Sequence, residues 1–172
     1  MLLVYLLPYD HMIINVILAL IFLGFSFTDF LDGYLARKYQ MTTKLGGSLD
    51  HIADKFLTYS TFIGLLTVHK IYFFWVILFI GRDIFVMGLR QIALENNFSI
   101  KVDYIGKVKT ALQMILITWL IARPITYTGS HASTFYYGEI VLLLITILVT
   151  LASCYHYYSI CADQLDHEQK LL

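Results

Sequence analysis

Residues 12–55 read MIINVILALIFLGFSFTDFLDGYLARKYQMTTKLGGSLDHIADK. The run opens on an uncharged apolar stretch, 12–28, and closes on a charged one that holds four aspartates, Asp29, Asp32, Asp50 and Asp54. A helix needs about 20 mostly apolar residues to cross the hydrocarbon layer, so the stretch must be lengthened into its charged flank. That gives a helix over 12–38 with its charges at one end. Four more charge-free stretches follow, 56–68, 71–81, 110–122 and 140–162. Lengthened in the same way, they predict helices over 45–68, 71–95, 105–122 and 136–161. A charge at the centre of a span costs about 2.5–3.5 kcal/mol on insertion scales, so charges belong at one membrane face or around a wet cavity. The expected fold is all-α, a polytopic transmembrane bundle of five full spans in a single domain over 1–172.

Composition points the same way. The chain is 59% hydrophobic and 14% charged, with a mean hydropathy of +0.72. An ordinary globular domain is about half apolar and about a quarter charged, so this one has too little polar surface to cover a water-soluble ball. Twelve Lys and Arg balance twelve Asp and Glu. No basic excess favours nucleic acid, and partners are to be sought among membrane lipids and small polar molecules. Cys154 and Cys161 would stand about 10 Å apart along a helix, too far for a disulfide, and read as small apolar fillers.

Basic residues set the orientation. Arg37, Lys38, Lys44 and Lys55 belong to one connection and its helix ends, and Arg82, Arg90, Lys101, Lys107 and Lys109 to the next but one. These two regions are expected on the cytoplasmic side, with His69, Lys70 and the long loop 124–137 outside. Lys101 and Lys109 read as topological anchors. Tyr155, Tyr157 and Tyr158, like Tyr127, Tyr136 and Tyr137, read as interfacial belts. Residues 1–10 are apolar but too short to span, and lack the basic start and cleavage site of a signal peptide. They read as a surface turn or as the remnant of a sixth, truncated helix, and the polar segment 163–172 as a frayed tail.

The acids fall at the charged ends of two consecutive helices. Asp29 and Asp32 are about 60° apart on a helical wheel, and Asp50 and Asp54 about 40° apart, so each pair projects from one face. Four acids converging between two helices repel one another unless cations intervene, and with no His or Cys in the set the ligand field is hard oxygen. Such a field suits Mg²⁺ or Mn²⁺ better than Zn²⁺. Salt bridges to Arg37, Lys44 and Lys55 are the alternative use of the same carboxylates. Gly33 and Ala36 share the face of Asp29 and Asp32, and Gly46 lies one turn before Asp50. A face without side chains lets a flat or phosphorylated group approach the backbone, although helix packing uses the same residues.

The pattern Asp29-x-x-Asp32-Gly33-x-x-Ala36-Arg37, eight residues, Gly46, three residues, Asp50, three residues, Asp54 resembles the CDP-alcohol phosphotransferase signature at every fixed position. The resemblance implies a homodimer of six-helix subunits. It implies two divalent metal ions held by Asp29, Asp32, Asp50 and Asp54 around the pyrophosphate of a CDP-linked lipid. It also implies contacts from Gly33, Ala36, Arg37 and Gly46 to the CDP group, and Asp54 as the base. Two departures stand out. His51 follows Asp50 where many members have Pro, and only residues 1–10 stand where members have a complete first helix.

The acceptor is suggested by a second basic group. Arg82 follows Gly81 in an otherwise apolar run and needs an anionic partner, with Asp83 or a substrate phosphate the candidates. The text from Gly81 to Arg90 and from Gly106 to Met114 is similar to the bacterial phosphatidylglycerophosphate synthase branch of that family. This implies transfer of a phosphatidyl group from CDP-diacylglycerol to sn-glycerol 3-phosphate at the inner membrane, with the site facing the cytoplasm and Arg82, Arg90 and Lys107 around the acceptor phosphate. Phosphatidylglycerol, serine and an inositol phosphate are the alternative acceptors. A transporter would scatter its acids towards the bilayer midplane, whereas here they gather at one face.

Overall fold

A computed structural model describes the backbone of residues 11–38, 44–96, 98, 104–123 and 132–169, and their side chains except those of 29, 30, 32–38, 44–51, 132–135 and 165–169. Among these residues there are five helices and no strand: α1 (Met12–Lys38), α2 (Lys44–Thr67), α3 (Phe73–Glu95), α4 (Tyr104–Ala122) and α5 (Ala132–Gln169). The first four lie within a residue or two of the helices expected from the charge-free stretches. The fifth is longer at both ends. It takes up the last part of the expected loop 124–137, and continues through 163–169 where a frayed tail was expected. The expected remnant at 1–10 lies outside the described residues.

α4 is the centre of the bundle. It packs against α1 and α5 along most of its length, α3 packs against α5, and α2 rests on α3 and α4. Phe22 of α1, Phe62 and Leu65 of α2, Phe79 of α3 and Leu116, Ile117, Leu120 and Ile121 of α4 form the core. Phe62 and Phe79 stack with ring centroids 5.4 Å apart. Outside this core the helices are apolar as well: Ile13, Leu20, Phe25, Phe27, Phe73, Phe74 and Leu148 are all more than 60% exposed. Water does not favour such a surface, and hydrocarbon does. Tyr104–Ala122 and Tyr136–Gln164 are long and apolar enough to cross a membrane, with 33% and 22% of their apolar windows buried. A soluble core helix of that length would be mostly buried, and these two are not.

The turn between α2 and α3 locks one end of the bundle. His69 has φ 55°. Its N–H donates to the Leu66 carbonyl at 3.1 Å, and that of Lys70 to the Leu65 carbonyl at 2.9 Å. This is a Schellman ending, in which the left-handed residue usually is glycine. Lys70, buried, then donates from Nζ to the carbonyls of Ile121 (3.1 Å) and Arg123 (2.6 Å), which end α4. Arg123 answers by donating to the Lys70 carbonyl at 2.6 Å and by pairing with Glu139 of α5 at 3.1 Å. Because an L side chain in the left-handed region costs about 1 kcal/mol, His69→Gly is expected to raise stability by about that much, and His69→Val to lower it. Thermal unfolding of the detergent-solubilised variants measures both.

Candidate active site

The other end of the bundle is built around one buried carboxylate. α3 carries Asp83 on its buried face, with Val76, Phe79, Val86, Leu89 and Ala93. Its side chain is 1% exposed and meets three cations from three helices. Lys55 Nζ of α2 donates to Oδ2 at 2.9 Å, Lys109 Nζ of α4 to Oδ1 at 2.6 Å, and the neighbouring Arg82 Nη1 to Oδ1 at 3.1 Å. Arg82 Nη2 also donates to Ser153 Oγ of α5. Arg82 therefore has the anionic partner that its apolar surroundings require. Lys109 is 1% exposed, so its expected role as a surface anchor is corrected: it is a buried ion-pair partner.

A cavity of about 250 Å³ opens beside this cluster, lined by Asp54, Lys55, Arg82, Asp83, Arg90 and Tyr157 among others. Among the described residues three cations and two carboxylates face it, and Lys109 pairs with Asp83 behind them, so positive charge is in excess in this part of the site. The buried Nε atoms of Arg82 and Arg90 have no hydrogen-bond acceptor among the described residues. Buried donors without acceptors cost about 1–3 kcal/mol each, and an anion in the cavity is the natural complement to such a field.

The expected site residues are distributed as follows. Asp54 lines the cavity, and among the described residues no Lys or Arg pairs with it, because the nearby ion pairs converge on Asp83. A carboxylate is a hard oxygen donor, the kind of ligand that Mg²⁺ or Mn²⁺ would take. Asp29, Asp32, Gly33, Ala36 and Arg37 lie on the helical backbone of α1, and Gly46 and Asp50 on that of α2. Their side chains lie outside the described residues. Arg82 and Arg90 share the cavity wall. Lys107 does not line it: Lys107 is exposed, and two residues of helix turn it about 200° from the buried Lys109.

Tyr157 was missed as a site residue. Tyr155 and Tyr158 are 74% and 54% exposed, whereas Tyr157, expected beside them in an interfacial belt, is buried at 1%. Its hydroxyl accepts a hydrogen bond from Arg90 Nη2 at 3.0 Å. The signal was present in spacing: Ser153, Tyr157 and Cys161 recur every four residues on one face of α5, and all three are buried. Cys154 and Cys161 are both free thiols, as their separation required.

A model of the CDP-alcohol phosphatidyltransferase family matches residues 1–154. The chain belongs to this family. It is 37% identical over 155 residues to the CDP-diacylglycerol–glycerol-3-phosphate 3-phosphatidyltransferase of Escherichia coli (strain K12), covering 86% of this chain and 80% of that one. The enzymes of the same name from Rickettsia felis and Rickettsia bellii are each 37% identical, over 146 and 147 residues, covering 83% of this chain and 77% of theirs. Membership makes the chain a membrane-associated transferase.

Removing Asp83's charge tests the geometry. Asp83→Asn leaves Lys109 buried without its counter-ion and is expected to destabilise the fold by about 3–5 kcal/mol, with Asp83→Asn/Lys109→Met recovering a substantial part. Thermal midpoints of the two single variants and the double variant in detergent give the coupling.

Proposed function

We propose that the chain transfers the phosphatidyl group of CDP-diacylglycerol to sn-glycerol 3-phosphate, giving phosphatidylglycerophosphate and CMP. The observation that supports this reading is the cavity that sets Asp54 against Arg82 and Arg90, with positive charge in excess. A phosphorylated acceptor alcohol needs both features, a base for its hydroxyl and a cationic seat for its phosphate. The chain's relatives carry the name of this reaction.

In the proposed reaction the acceptor's hydroxyl oxygen attacks the phosphatidyl phosphorus of the donor. A new P–O bond forms, the P–O bond to CMP breaks, and CMP leaves with the bonding pair. Asp54 takes the hydroxyl proton. Asp29, Asp32, Asp50 and Asp54 would hold two divalent ions, which when bound neutralise the pyrophosphate and stabilise charge developing on its oxygens. Gly33, Ala36 and Gly46 let the CDP group approach the helix backbones, and Arg37 contributes positive charge to the departing nucleotide. Arg82 and Arg90, oriented by Asp83, Ser153 and Tyr157, hold the acceptor phosphate. In the same reading all five helices cross a bacterial inner membrane as one subunit of a homodimer, with the Asp54 end facing the cytoplasm.

CMP release from CDP-diacylglycerol in mixed micelles, measured with glycerol 3-phosphate, phosphatidylglycerol, serine and an inositol phosphate in turn, tests the acceptor. Glycerol 3-phosphate is expected to give the highest kcat/KM, and release with phosphatidylglycerol alone overturns the assignment. Asp54→Asn is expected to lower turnover by at least about 100-fold. Arg90→Ala is expected to raise KM for glycerol 3-phosphate about tenfold or more, while Lys107→Ala changes it by less than about twofold. Activity lost on chelation and regained with Mg²⁺ or Mn²⁺ checks the metal requirement.

A further inference from the structure

Tyr157 stands on α5 just beyond the residues that the family model matches. The Cζ of Arg82 lies 5.7 Å from the centroid of its ring and that of Arg90 5.1 Å. The two arginines are eight residues apart, about 12 Å along α3. Two like charges on long flexible stems have no tendency of their own to converge from that separation. One aromatic ring attracts both, since a guanidinium within about 6 Å of a centroid is stabilised by the ring's quadrupole.

Further contacts hold the ring and the guanidinium groups beside it. Its hydroxyl accepts from Arg90, and Ser153, one turn earlier, accepts from Arg82. Val86, Leu89 and Cys161 bury it in a small apolar cluster beside the cavity. Gly106 of α4 leaves the space that the hydroxyl occupies. A Cβ at Gly106 would stand 3.0 Å from Tyr157 Oη and 3.6 Å and 3.7 Å from its nearest ring carbons.

We infer that Tyr157 is a positioning residue that sets the distance between the Arg82 and Arg90 guanidinium groups, so that both act on one phosphate in the cavity, with Gly106 clearing its place. This rests on the reading of the cavity as the acceptor site. Tyr157 selects for a phosphorylated alcohol through the two arginines, without touching the reacting atoms.

Steady-state CMP release compares wild type with Tyr157→Leu, Tyr157→Phe and Gly106→Ala. Tyr157→Leu removes ring and hydroxyl and is expected to raise KM for glycerol 3-phosphate about tenfold. KM for CDP-diacylglycerol, and kcat at saturating acceptor, should move by less than about twofold. Tyr157→Phe keeps the ring and should raise the acceptor KM only about threefold, and Gly106→Ala, which pushes the hydroxyl off Arg90, should resemble it. An unchanged acceptor KM in Tyr157→Leu, or an equal rise for both substrates, overturns the inference. If Tyr157→Leu does not fold, an unchanged acceptor KM in both other variants overturns it.

Thermal stabilisation by inorganic phosphate separates this inference from the functional reading. Wild type should be stabilised, and Tyr157→Leu, or Tyr157→Phe in its place, should need several-fold more phosphate for the same shift. A wild type that ignores glycerol 3-phosphate yet keeps this phosphate response removes the acceptor assignment and supports the role of Tyr157. An identical phosphate response in wild type and variants overturns that role whichever alcohol is used.

Discussion

One buried carboxylate facing three cations is the constraint on which the chemical end of this bundle depends. Asp83 gathers Lys55 from α2, Arg82 from its own helix and Lys109 from α4, and Arg82 extends the network to Ser153 on α5. Burying four charges is costly, and their mutual attraction repays it only with short, well-directed contacts. The arrangement meets that condition and still leaves charge over, because a single carboxylate cannot neutralise three cations. The residual positive field falls on the cavity that Asp54 borders. Among the described residues, the unequal count that holds the cluster together also leaves that cavity positive.

The two ends of the molecule use similar residues to opposite effect. At the far end Lys70 and Arg123 are held by helix-terminal carbonyls and by Glu139, so their donors serve to tie α2, α4 and α5 together. At the Asp54 end the Nε donors of Arg82 and Arg90 are buried without acceptors among the described residues. A cation that caps carbonyls is a structural fastener, while one with donors to spare is a binding group.

The helices were legible in the sequence because charge-free stretches alternate with charged ones, and each charge-free stretch lies, to within a residue or two, in one helix. The aspartate motif was legible because its eight positions keep helical spacing across two consecutive helices. Lys109 and Tyr157 were read wrongly for one reason. Each belongs to a type whose usual place is the membrane interface, and only the packing of α4 against α5 and of α3 against α5 shows that these two point inward. Lys107, whose charge fitted the acceptor reading, is exposed and does not line the cavity. Type and proximity in sequence locate a cationic region. Which members of it share a cavity depends on the angle at which each helix meets its neighbours.

The exposed aliphatic and aromatic skin of α1, α3 and α5 has a kinetic consequence. A membrane-associated protein meets any lipid partner by lateral diffusion in two dimensions, and meets a polar one from the aqueous phase in three. The quantity governing the lipid is then its mole fraction in the surface, so diluting it with inert amphiphile slows encounter even when its bulk molarity is held constant. Water-soluble and lipid partners of this chain accordingly obey different concentration scales.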